Sequence, residues 1–80
     1  MDELKQAIEN TKVITFSYTD KKGVGTQRKI EPYEIKGENL IGFDIDKNQY
    51  RMFKIENIQD INVTDQVYVV RTVTNEQSTD

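Results

Sequence analysis

The side chains best suited to chemistry in this sequence are cations set among apolar residues. Residues 50–55 read Tyr-Arg-Met-Phe-Lys-Ile, so Arg51 and Lys54 lie in a stretch that otherwise resembles the interior of a strand. Arg28 is a third such cation, two residues before Ile30. A cation in this setting either binds an anionic ligand, pairs with a carboxylate of the protein, or points outward into solvent. These residues therefore predict an anion-binding site, with internal ion pairs or solvated charges as the alternatives.

The residues needed for most side-chain catalysis are missing. The sequence has no cysteine and no histidine, which excludes disulfides, thiol chemistry and nucleophiles activated by histidine. Asp44 and Asp46 are spaced like a metal-binding or acid–base pair, but the sequence offers no third ligand beside them. We interpret them as solvated carboxylates at the end of a hairpin. The sequence thus predicts a protein that is not an enzyme and that has no metal site and no cofactor.

Short elements joined by tight turns must position the cations. Leu4, Ala7 and Ile8 fall on one helical face, which predicts a short amphipathic helix over residues 3–10. Runs of β-branched and aromatic residues separated by polar or glycine-bearing turns predict five strands after it. These strands are expected at 12–19, 26–35, 40–46, 49–55 and within 61–70, with a turn or one turn of 3₁₀ helix at 56–60. The pattern favours a mainly β fold, a small five-stranded antiparallel barrel behind a short N-terminal helix.

The alternation of side chains along a strand separates two of the cations. In a regular fourth strand Arg51 shares a face with Phe53, whereas Lys54 lies on the opposite face. Because Phe53 has the character of a core residue, we expect Arg51 to point inward and Lys54 to point outward. Arg28 shares its face with Ile30 and is expected to point inward as well. Two inward arginines at the mouth of a barrel could hold a phosphate through paired hydrogen bonds.

Four separated blocks of the sequence resemble the WYL domain family. The order and spacing of the blocks match over Leu4 to Val67, which is most of the chain. The blocks read "LKQAIENTKVITFSYTD", "QRKIEPYEI", "LIGFD" and "YRMFKIENIQDINV". The Trp-Tyr-Leu signature of the family falls on Glu38-Asn39-Leu40, so only its leucine is kept. The resemblance implies a small β-barrel of the SH3- or Sm-like kind, found mostly in bacterial and phage proteins.

The resemblance also implies a function. WYL domains usually follow a helix-turn-helix domain and act as ligand-sensing modules in the regulation of transcription or of defence systems. They are thought to bind nucleic acid or nucleotide-like ligands through basic and aromatic residues on the barrel. Carried onto this sequence, the ligand-binding positions are Arg28, Arg51, Lys54 and the first-strand Tyr18. The resemblance therefore implies a regulatory module that binds nucleotide or single-stranded nucleic acid.

Association with another protein, or with a second copy of the chain, is the alternative function. Exposed edge strands of an open sheet readily pair with another chain. Tyr50 and Met52 on the outer face of the fourth strand, together with the apolar run at 67–70, could supply such a contact. The sequence thus keeps two functions open, ligand binding and self-assembly or partner binding.

Length and charge limit the organisation of the chain. Eighty residues predict one domain, at 1–72, followed by a polar tail at 73–80 that we expect to fray. They leave no room for a helix-turn-helix domain, so we expect a stand-alone barrel or a fragment. The net charge is −3, but the charges of residues 11–75 nearly cancel, which permits a local basic site. The polar N-terminus and the short apolar runs predict a cytoplasmic protein without a membrane segment.

Overall fold

The computed structural model describes residues 2–71, which form one short helix and five strands. The helix is α1 (Asp2–Glu9), and a 3₁₀ turn (Ile55–Asn57) joins the fourth and fifth strands. The strands are β1 (Lys12–Thr19), β2 (Gly25–Lys36), β3 (Asn39–Asp44), β4 (Gln49–Lys54) and β5 (Ile58–Val67). The predicted tail at 73–80 lies outside the described residues. None of the helices within residues 2–71 is long and apolar enough to cross a bilayer.

The five strands form one antiparallel sheet in the order β4-β3-β2-β1-β5. The predicted class, a mainly β fold with five antiparallel strands behind a short N-terminal helix, is confirmed. The sheet does not close into a barrel, because β5 pairs with β1 and not with β4. At the end of β4 a side chain takes the place of a strand partner, since the Lys54 amide donates to the Tyr18 hydroxyl at 3.0 Å.

A bulge bends the sheet in the middle of β2. The β2–β3 register shifts between Pro32 and Glu34, and Gly42 of β3 lies opposite Pro32. A Cβ at Gly42 would lie 2.5 Å from the Glu31 carbonyl oxygen and 2.7 Å from Cγ2 of Ile30. Only glycine fits at this close approach of the two strand backbones.

The core lies between α1 and the concave face of the bent sheet. An eight-residue helix is marginal by itself, so α1 depends on docking its apolar face against the strands. Each large apolar side chain buried in this way contributes roughly 1.5–3 kcal/mol. The core side chains, all at most 1% exposed, are Leu4, Ala7, Ile14, Phe16, Ile30, Leu40 and Phe53.

A second layer of packing covers part of the opposite face. After β5 the chain turns back across the sheet at residues 68–71. The Tyr68 amide donates to the Thr11 carbonyl at 2.9 Å, and its hydroxyl donates to the Pro32 carbonyl oxygen. The Tyr68 side chain is buried by this crossing. The sequence predicted a turn at 56–60 and a fifth strand somewhere within 61–70, whereas β5 begins earlier, at Ile58, and its ladder ends at Val67.

Candidate anion-binding site

Arg28 and Arg51 converge on one aromatic ring of the core. The guanidinium carbon of each lies 5.8 Å from the centroid of the Phe53 ring. Arg51 reaches it from two positions earlier in β4, and Arg28 reaches it from β2, two positions before the core residue Ile30. Curvature of the sheet thus brings together two cations that lie on non-adjacent strands. A cation over an aromatic face gains about 0.5–2 kcal/mol, depending on how far it is desolvated.

Arg28 is held in place by a buried carboxylate. Its Nη1 lies 3.2 Å from Oδ2 of Asp44, and its Nε donates to the Thr26 hydroxyl at 3.1 Å. The Asp44 side chain is only 1% exposed and also accepts the Lys47 amide at 3.1 Å. The interpretation of Asp44 as a solvated carboxylate is therefore wrong. The Asp44 side chain is buried against Arg28, which compensates its charge. Asp46, in the turn after β3, is exposed.

Arg51 differs from Arg28 in having no acidic partner among the residues that the structure describes. None of the ion pairs among residues 2–71 includes it, although its side chain is half-buried. β2, β3 and the turn after β3 carry four acids, Glu31, Glu34, Asp44 and Asp46. Two of them are engaged by other arginines, Asp44 by Arg28 and Glu31 by Arg71. A partly desolvated guanidinium without a counter-charge is costly, and an anion would offset that cost.

Lys54 lies on the other side of β4, as strand alternation predicts. Its side chain is 54% exposed and its Nζ lies 3.6 Å from Oε2 of Glu56. A surface pair of this kind contributes little to stability. Asn39, at the tyrosine position of the family signature, pairs with Lys54 in the β3–β4 ladder. Both therefore lie on the face opposite Arg51, and the cations of β4 do not form one patch.

Tyr18 joins the arginine cluster through its ring and not through its hydroxyl. Its ring meets those of Phe53 and Phe16 edge to face, with centroids 5.1 Å and 6.4 Å apart. Its hydroxyl accepts the Lys54 amide. The ring is only half-buried, so it forms one wall beside Phe53. The Tyr18 ring thus lies beside the arginine cluster, and its hydroxyl has a structural role.

The arginine cluster lies apart from two cavities of the domain. A cavity of about 310 Å³ lies between α1 and β2 and another of about 380 Å³ lies beside the 3₁₀ turn, and neither is lined by Arg28 or Arg51. Residues 2–71 contain no group of three or more acidic side chains that could hold a metal ion. The arrangement offers two guanidinium groups, an aromatic wall and partial exposure to solvent, which suits the phosphate of an extended ligand.

Sequence reasoning missed a second cluster, on the outer face. Arg71 forms an ion pair with Glu31 across 40 positions of the chain. The Tyr33 hydroxyl donates a hydrogen bond to the same carboxylate. Nothing in the spacing pointed to Arg71.

Comparison with known proteins identifies the family. The family model described as "WYL domain" matches residues 1–63, most of the chain, and the chain belongs to the WYL domain family. The resemblance drawn from the four sequence blocks is confirmed.

A solved structure supports the fold. The chain is similar to proteasome accessory factor B/C (PafBC) of Arthrobacter aurescens, with a TM-score of 0.82 and 20% sequence identity. The match covers 95% of this chain and 13% of the PafBC chain. The two proteins therefore share this fold, and this chain corresponds to a small part of the larger protein.

Proposed function

We propose that this WYL domain is a non-catalytic regulatory module that binds phosphate groups of a nucleotide or of single-stranded nucleic acid through Arg28 and Arg51. The observation that carries the proposal is the half-buried Arg51, which lies over Phe53 without an acidic partner among residues 2–71. A phosphate oxygen supplies the missing counter-charge. Arg28 lies over the same ring and provides the second cation.

The pairing of Arg28 with Asp44 supports a positioning role for that carboxylate. Asp44 engages one nitrogen of the guanidinium group and fixes its orientation over Phe53. A donor fixed in advance loses less conformational entropy when a ligand binds. In the proposed complex Arg28 is the oriented donor, and Arg51 provides the uncompensated charge.

Tyr18 supports a nucleotide over a simple inorganic anion. Its half-buried ring lies beside Phe53, next to the arginine pair. Stacking of a base on an aromatic side chain contributes about 1–3 kcal/mol and does not depend on the base sequence. Lys54 lies on the opposite face and contributes at most a distant charge.

Family membership supports a regulatory context. The known association of WYL domains with regulators of transcription and defence favours a role in the bacterial or phage cytoplasm. It also favours ligand sensing over catalysis.

Equilibrium binding tests the site. Fluorescence anisotropy of a short fluorescein-labelled oligothymidylate, titrated with the protein at low salt, should show saturable binding. Arg51→Ala should weaken it by about tenfold, because one charge-assisted contact is lost. Lys54→Ala is the matched control, since it removes the other cation of the same strand and should change the affinity by less than about twofold. An unchanged affinity in Arg51→Ala would show that the site lies elsewhere.

Edge exposure favours self-assembly as a second candidate function. β4 is an edge strand of the sheet, and its outward Met52 is 59% exposed. An unpaired edge beside an exposed apolar side chain is suited to pairing with a second copy or a partner strand. Light scattering over a wide concentration range tests self-assembly. A protein that stays strictly monomeric at high concentration would count against it.

A further inference from the structure

The outer face of the sheet carries a buried carboxylate that is fully engaged by one arginine. The Glu31 side chain is 7% exposed and lies on the face of β2 opposite the core residue Ile30. Nε of Arg71 lies 3.1 Å from Oε1 of Glu31, and Nη2 lies 3.1 Å from Oε2. Two parallel hydrogen bonds of this kind fit a guanidinium group and not an ammonium group.

An aromatic face completes the contact. The guanidinium carbon of Arg71 lies 4.0 Å from the centroid of the Phe43 ring, which is stacking distance. Phe43 lies opposite Glu31 in the β2–β3 ladder, so the two parts of the site are fixed to each other by backbone pairing. The Tyr50 ring packs against the edge of Phe43 with centroids 5.1 Å apart. The Glu31 carboxylate and the Phe43 ring are thus both positioned by paired strands of the sheet.

A tyrosine orients the carboxylate independently of the arginine. The Tyr33 hydroxyl donates to Oε1 of Glu31 at 2.6 Å. Burial raises the pKa of this hydroxyl well above its ordinary value, and the bond to Glu31 adds to the increase, so Tyr33 remains a donor at neutral pH. A hydrogen bond between two residues of β2 therefore orients the Glu31 carboxylate independently of Arg71.

The arginine that fills the site belongs to a peripheral segment. The Arg71 side chain is 46% exposed, and Val69 and Val70 before it are exposed as well. The segment is tied to the sheet by the Tyr68 amide, the buried Tyr68 ring and the Arg71 contacts. A rigid, buried acceptor thus faces a donor on an exposed part of the chain.

We infer that Glu31, Tyr33 and Phe43 form an arginine-binding site, and that Arg71 of the same chain is its internal ligand. The site takes a guanidinium group carried on an extended segment and selects it over an ammonium group. Arg71 holds residues 68–71 against the sheet, and removing its side chain leaves a site that accepts arginine from solution. The inference is separate from the phosphate proposal, because the two arginine clusters lie on opposite faces.

Rescue by a free ligand tests the site. In Arg71→Ala, N-acetyl-L-arginine amide should produce saturable chemical-shift changes at Tyr33 and Phe43 in two-dimensional NMR spectra. N-acetyl-L-lysine amide, with the same charge, should bind at least about tenfold more weakly because it cannot make the paired hydrogen bonds or stack on the ring. In the wild-type protein Arg71 occupies the site, so the same titration should produce no saturable change at these residues.

Two further variants keep the test informative. Glu31→Gln in the Arg71→Ala background should abolish binding of the arginine amide. If that variant does not fold, Phe43→Leu in the same background is the substitute test and should weaken binding. Equal binding of the arginine and lysine amides would overturn the inference, as would the absence of binding to Arg71→Ala. Wild-type signals of Tyr33 and Phe43 that change with protein concentration would show that a second copy supplies Arg71, and the assignment to the same chain would then be wrong.

Discussion

Three arginines of this domain have different electrostatic environments. Arg28 is paired with Asp44, Arg71 is paired with Glu31, and Arg51 has no acidic partner among residues 2–71. The two acids are buried, so they cannot be compensated by water. Arg28 and Arg71 therefore each compensate a buried acid, whereas Arg51 pairs with none of the described acids.

The Arg28–Asp44 pair predicts an asymmetric mutational effect. Arg28→Met should lower the free energy of unfolding by about 2–4 kcal/mol, because it leaves Asp44 charged and buried. Arg28→Met with Asp44→Asn should recover much of that loss, because the uncompensated charge is gone. Urea denaturation of the two variants and the wild type measures the difference. Equal destabilisation of the single and double variants would show that packing, and not charge, sets the cost.

Tyr33 predicts a loss of stability in alkaline solution. Burial and the bond to Glu31 raise the folded-state pKa of Tyr33 above its unfolded value of about 10. The folded state then holds the proton more tightly, so the stabilisation is present below about pH 10 and is lost as the pH rises through that value toward the folded pKa.

Urea denaturation at several pH values, with Tyr33→Phe as the control, measures this effect. Burial also raises the pKa of Tyr68, so Tyr33→Phe should reduce the alkaline loss of stability without abolishing it. An alkaline loss that is the same in Tyr33→Phe and the wild type would contradict the role given to Tyr33.

At the scale of the elements, the local sequence pattern predicts the strands well, but it does not predict where the chain turns back. β-branched and aromatic runs predicted β1 with its observed bounds, because its residues alternate between the core and the other face. The window 61–70 did not fix where the fifth strand ends, because Tyr68, Val69 and Val70 also have strand-forming side chains. The chain leaves the ladder there to bury Tyr68 over Pro32, a contact between residues 36 positions apart.

The bulge between β2 and β3 predicts different costs for two glycines. Gly42→Ala should destabilise the domain by about 1–3 kcal/mol or more, since the new Cβ would meet the Glu31 carbonyl and the Ile30 side chain. Gly25→Ala is the matched control, because a Cβ there meets nothing within 4 Å. Thermal unfolding compares the two variants. Similar midpoints for both would contradict the close approach at Gly42.

At the scale of the whole molecule, the sheet separates two arginine clusters. Arg28 and Arg51 lie around Phe53 on the concave face, and Arg71 lies over Phe43 on the other. Strand alternation predicted which face Arg51 and Lys54 would take. The sequence could not show that Arg28 would meet Asp44, or Arg71 would meet Glu31, because those contacts depend on how the bent sheet and the returning segment bring distant residues together.

The salt dependence of oligonucleotide binding tests the central claim most directly. Each phosphate neutralised on a single strand contributes about −0.7 to the slope of log affinity against log salt concentration. Because Asp44 already compensates Arg28, Arg51 is the cation expected to neutralise a phosphate, and Arg51→Ala should make the slope with labelled oligothymidylate shallower by about 0.7 than in the wild type. Lys54→Ala should keep the wild-type slope. A slope that falls in Lys54→Ala and not in Arg51→Ala would contradict the assignment of the site to the concave face.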